Sequence, residues 1–113
     1  MVLLRQCIAI GITVLLVVFG SVSLVAAGDP DAAKAIIVEH CAKCHAIPRY
    51  SPEGGPDSVN APAFSAIADN SDTYGRERLG TFLRQPHFPM TQLILSESDI
   101  ENILAYIESL RTK

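Results

Sequence analysis

Two cysteines three positions apart with a histidine directly behind them, Cys41-Ala42-Lys43-Cys44-His45, constrain this chain more than anything else in its 113 residues. Three chemistries use a Cys-x-x-Cys pair. A structural zinc site needs four ligands, and although His40, His45 and His87 are available, the chain has no second Cys-x-x-Cys and no His-x-x-x-His group. A thioredoxin-like dithiol belongs at the start of a helix that follows a strand, whereas the residues before Cys41 read as helix. The third chemistry depends on where the chain is matured, and its N-terminus speaks to that.

The stretch from Ile8 to Ala27 holds no charged residue, while all twelve acidic side chains and eight of the nine basic ones lie after it. Arg5 stands in a short leading region, the apolar core runs from Ile8 to Phe19, and Gly20, Ser21 and Ser23 follow. This is the layout of a secretory signal peptide. Val25-Ala26-Ala27 supplies the small residues a signal peptidase accepts, so residues 1–27 are expected to be removed and residues 28–113 to form one domain. The 20 residues from Ile8 to Ala27 also match a bilayer span at ~1.5 Å per residue, which keeps a retained anchor as the alternative. In an exported chain Cys-x-x-Cys-His is the attachment signature of c-type haem. Cys41 and Cys44 would bond the two vinyl groups through thioethers, and His45 would bind the iron. They are the only cysteines after residue 27, so neither has another disulfide partner there.

Residues 28–113 carry eight basic and twelve acidic side chains, a formal charge of −4. An acidic domain with no basic run repels phosphate backbones, which excludes nucleic acid and favours partners with basic patches. At 86 residues a hydrophobic core alone is marginal. A buried porphyrin supplies the apolar surface the chain lacks.

The remaining pattern is helical. Asp29 is a suitable N-cap and Pro30 a suitable first residue for a helix over 29–44. Residues 46–62 contain Pro48, Pro52, Gly54, Gly55, Pro56, Asn60 and Pro62, a density of breakers that predicts a loop, placed here along the haem edge. A short helix is expected over 64–68. Another is expected over 73–84, with Leu79, Phe82 and Leu83 at the spacing of one face and Arg76, Glu77 and Arg78 on a solvated one; Gly75 and Gly80 weaken that helix. Pro86 and Pro89 bracket His87 in a second loop that also holds Met90. Ser96 with Asp99 makes a short form of the capping box for a last helix that buries Ile100, Ile103, Leu104, Ile107 and Leu110. No stretch alternates as a strand would.

With these residues in place, the chain from 29 to 113 resembles the small class I c-type cytochromes, soluble carriers with one haem. The resemblance implies an all-α domain with irregular loops wrapped around one covalently bound haem c. It also implies a close contact of the first and last helices at Ala33, Ile37, Ile103 and Tyr106, within Ile103-Leu104-Ala105-Tyr106-Ile107. Pro62 would offer its carbonyl to the free ring N–H of His45. Met90 would be the second iron ligand, raising the reduction potential, with His87 as the alternative and His40 left facing solvent. Two departures stand out. Alanine and isoleucine replace the usual glycine and aromatic at Ala33 and Ile37, and Thr91 follows Met90 where the family has proline.

Phe64, Leu79, Phe82, Leu83 and Leu93 are candidates for the apolar haem wall, and Arg49, Tyr50 and Arg84 for the propionates. The function implied is one-electron transfer, with no substrate transformed, between redox proteins of the periplasm or its membrane. The expected carrier is monomeric and meets a membrane only transiently or through a retained N-terminus. A subunit of a larger dehydrogenase or oxidase, or a haem protein with an open sixth position for gases or peroxide, is the alternative.

Overall fold

The structure, a computed structural model, describes residues 27–55, 61–85 and 93–113. Among them all regular structure is helical apart from an isolated antiparallel bridge between Ile47 and Ser51. Helix α1 (Lys34–Ile36) runs straight into a π-helical turn (Ile37–Cys41), and α2 (Phe64–Asp69), α3 (Arg76–Arg84) and α4 (Glu97–Ser109) follow. None of the described helices is long and apolar enough to cross a membrane. The expected signal peptide falls on residues 1–27, of which only Ala27 is described.

α4 is the element on which the others pack. Ser96 accepts from Asp99 N and its own N–H donates to the Asp99 carboxylate, so the capping box closes at both ends. Ile100, Ile103, Leu104, Tyr106 and Ile107 are buried along one stripe, against which α2 and α3 lie. Ala33 and Ile37, each 0% exposed, join Ile103 and Tyr106 in the same buried cluster.

The first helix is shorter than its sequence suggests. Asp29 does not cap it: its Oδ1 accepts from Asp31 N at 2.9 Å, within a tight turn over residues 30–33 in which Lys34 N reaches Asp31 O at 3.2 Å, and the helix N-cap is Ala33, with no side-chain cap bond. Regular helical structure covers 34–41 instead of 29–44.

α3 departs from expectation in two ways. Phe82 is 50% exposed, whereas Leu79 and Gly80 are buried and Leu83 packs on the core. At about 100° per residue the stripe through 79, 80 and 83 leaves position 82 well to one side. Nor are the arginines merely solvated. Arg76 donates to Glu108 at 2.6 Å and also to Glu101, and Arg84 grips Glu97 through Nε and NH2 at 2.8 to 3.1 Å. Gly80 is the seat of that grip. A Cβ there would stand 2.9 Å from Arg84 NH1, so the missing side chain lets the guanidinium fold back along α3 toward α4.

Both ends of the domain are fastened. Asp29 N donates to Asn102 Oδ1 at 2.8 Å, and a Cβ on Gly28 would stand 2.0 Å from Glu101 O. At the other end Arg111 Nε reaches Ala68 O at 3.1 Å, and Thr112 donates twice to Asp69 Oδ1.

Gly28→Ala is expected to lower stability by about 1 to 3 kcal/mol, the usual cost of forced overpacking, read from thermal melts of the haem-loaded protein. Glu97 is held below the ordinary carboxylate value first by its hydrogen bond from Arg84. A carboxylate depressed in the folded state stabilises it above the unfolded value and loses that contribution as pH falls through the folded one. Glu97→Gln should therefore lower the melting temperature at pH 7, and the gap to the parent should close in strongly acidic buffer.

Candidate cofactor-attachment site

The π-helical turn ends on Cys41, where Ala42 N bonds back five residues to Ile37 O at 3.0 Å. The Cys41 carbonyl then accepts from two N–H groups, Cys44 at 3.1 Å and His45 at 2.9 Å. One carbonyl thus winds both cysteines and the histidine onto a single turn.

Both thiols are free, with Cys41 buried and Cys44 partly so. Burial, helped by the neighbouring Cys44, pushes the Cys41 thiol up to about 11. A dithiol oxidoreductase needs the opposite shift, a lowered thiol pKa.

His45 is oriented from the far side of the loop. Its Nδ1 lies 2.7 Å from Pro62 O. A carbonyl only accepts, so Nδ1 carries the proton and Nε2 keeps its lone pair for a metal. The same segment is stitched to the backbone beside the histidine by Phe64 N donating to Ala46 O at 3.0 Å. The Phe64 ring meets the imidazole edge-on, centroids 5.2 Å apart at 62°.

The breaker-rich loop starts with a turn closed by the Ile47 and Ser51 backbones, with Arg49 at its tip in the left-handed region, φ 71°. Tyr106 donates its hydroxyl to Pro48 O, and Tyr50 stacks on the Tyr106 ring at 5.4 Å. Farther on the loop lies against the Cys-x-x-Cys turn itself. A Cβ on Gly55 would stand 2.3 Å from Lys43 O, so only glycine permits that approach. The sequence marks Gly54-Gly55 only as a loop and does not single out Gly55 for this role.

Two free thiols and an imidazole with Nε2 available, all on one turn, form a donor set that fits a covalently attached haem. The other residues expected near a haem are placed as follows. Arg84 is paired with Glu97 and Glu101. Phe82 is half-exposed, and Leu79 and Leu83 pack with the core. Leu93 is half-buried and Arg49 exposed. His40 is exposed, with Nε2 3.7 Å from Glu39. The expected ligand Met90 and its alternative His87 lie outside the described residues.

The family model described as Cytochrome c matches residues 30–111. A curated relative, cytochrome c-552 of Bradyrhizobium diazoefficiens, is 33% identical over 101 residues, which cover 89% of this chain and 93% of the relative. No solved structure matches.

Gly55→Ala is expected to reduce the fraction of chains that acquire covalent haem. Haem absorbance per unit protein, measured on material exported with its attachment machinery, checks this.

Proposed function

The chain belongs to the cytochrome c family and is a haem-based electron carrier with covalent haem c, and from that premise we propose that Cys41 and Cys44 hold the haem while His45 and Met90 bind its iron. The observation that carries the reading is the bond between His45 Nδ1 and Pro62 O at 2.7 Å. It leaves Nε2 unprotonated, and hydrogen-bond donation from the far nitrogen makes the imidazole a stronger ligand. When bound, the haem supplies a one-electron couple between ferric and ferrous iron. Met90 opposite a histidine biases that couple toward ferrous iron and a high potential. With His45 and Met90 both committed to the iron, the chain would transform no substrate and would meet its partners at its surface.

Those partners are redox proteins of the periplasm or of its membrane, carrying basic docking patches. The net charge of −4 over residues 28–113 supports this through long-range steering. Association would be brief and the interface small, as for other redox encounters. Cleavage after Ala27 delivers the domain to that compartment as a soluble monomer. The packing of Gly28 and Asp29 on α4 supports that boundary, because both residues belong to the packed domain.

Oxidised and reduced absorption spectra, recorded with and without carbon monoxide, test the ligand assignment. The expected result is a low-spin spectrum with the near-infrared charge-transfer band of sulfur on ferric iron, unchanged by carbon monoxide. Met90→Ala should abolish the band and admit carbon monoxide, whereas His87→Ala should preserve it. A parent protein that binds carbon monoxide readily would instead point to an open sixth position. The intact mass of the exported protein tests the cleavage: a chain starting at Gly28 plus one haem is expected, and a retained N-terminus would favour an anchored subunit.

A further inference from the structure

The Pro62 carbonyl fixes which nitrogen of His45 is protonated, but a single hydrogen bond still leaves the ring plane free to tilt about the line of that bond. Phe64 stands where that freedom would be removed. Its ring is 4% exposed and touches the imidazole edge-on. Its backbone is doubly constrained, first by the Phe64 N bond to Ala46 O and then as the first residue of α2. Behind it lies Tyr106, ring centroids 6.3 Å away at 53°, with its hydroxyl held by Pro48 O. Tyr50 stacks on Tyr106 at an interplanar angle of 19°, and Lys34 Nζ lies 5.6 Å from the Tyr50 centroid. A file of rings therefore runs from the surface to the imidazole, each member with its own anchor. Edge-to-face contacts between rings have a preferred geometry and resist tilting in a way aliphatic contacts do not.

From this file of rings we infer that Phe64 is a positioning residue that sets the plane of the axial imidazole, with Tyr106 as its backstop. The inference rests on His45 as an iron ligand. It assigns Phe64 a role distinct from filling the core or lining the porphyrin: the imidazole plane selects which iron d orbitals mix with the ring nitrogens, and so where unpaired spin density falls on the haem periphery.

The test is Phe64→Leu in the haem-loaded protein, read by the proton NMR shifts of the haem methyl groups in the ferric state. Leucine keeps an apolar side chain and Pro62 O is untouched. The expected result is a changed order or spread of the methyl resonances together with a shifted reduction potential. Ile67→Val, a truncation on the same helix, should lower the melting temperature and leave the methyl pattern as in the parent. A Phe64→Leu pattern that superimposes on the parent, with only the melting temperature lowered, would overturn the inference. Should Phe64→Leu fail to acquire haem, the ferrous parent protein decides: a nuclear Overhauser contact between the Phe64 ring and the His45 ring protons is expected, and its absence refutes the assignment. A parent whose His45 ring protons show no shift from the iron would overturn the axial reading and this inference with it. Shifted His45 protons with an unchanged Phe64→Leu pattern would remove this inference alone.

Discussion

The hydrogen bond from His45 Nδ1 to Pro62 O joins two segments 17 residues apart, and much of the described domain is arranged to keep its ends in register. On one side the Cys41 carbonyl gathers two amide groups and winds the turn that presents His45. On the other, Phe64 N returns to Ala46 O, so the accepting carbonyl and the imidazole belong to one small hydrogen-bonded frame. The bond counts for more than its own free energy, about 1 kcal/mol for a typical neutral pair. It decides a tautomer, and the tautomer decides which ring nitrogen keeps its lone pair.

A domain this small has little core with which to hold such a frame. α4 supplies the largest share of it, offering one apolar stripe to α2 and α3 and to the buried residues around the first helix. Arg76 and Arg84 then cross between α3 and α4. Isolated surface ion pairs contribute little, but fork-shaped arginine contacts and shared carboxylates are the arrangements in which they do contribute. Arg84 meets Glu97 in the first manner, and Glu101 and Arg76 take part in the second.

The attachment motif, the capping box of Ser96 and Asp99 and the buried face of α4 were legible in the sequence because each is a local pattern with one structural meaning. The phase of α3 was not. Leu79, Phe82 and Leu83 fit a helical face, but the face actually buried is displaced toward Gly80, and glycine leaves no trace in a hydrophobic pattern. The arginine pairs were missed for a related reason, since their partners lie 13 to 32 residues away on another helix. Gly28 and Gly55 mark places where one backbone nearly touches another, and a sequence shows that only as an unexplained glycine. The shortened first helix reflects a tight turn that competes with regular helix over the same four residues, a choice that capping preference does not resolve.

The fastening of the C-terminus carries a mechanical consequence. Thr112 and Arg111 hold Asp69 and Ala68 at the end of α2, and α2 begins at Phe64, the ring against His45. A load applied at Lys113 is therefore shared between α4 and α2 and transmitted along a six-residue helix toward the imidazole. Immobilising the protein on an electrode through its last residue would strain the frame that holds His45, so an exposed position on the first turn, such as Asp31 or Ala35, is the gentler point of attachment.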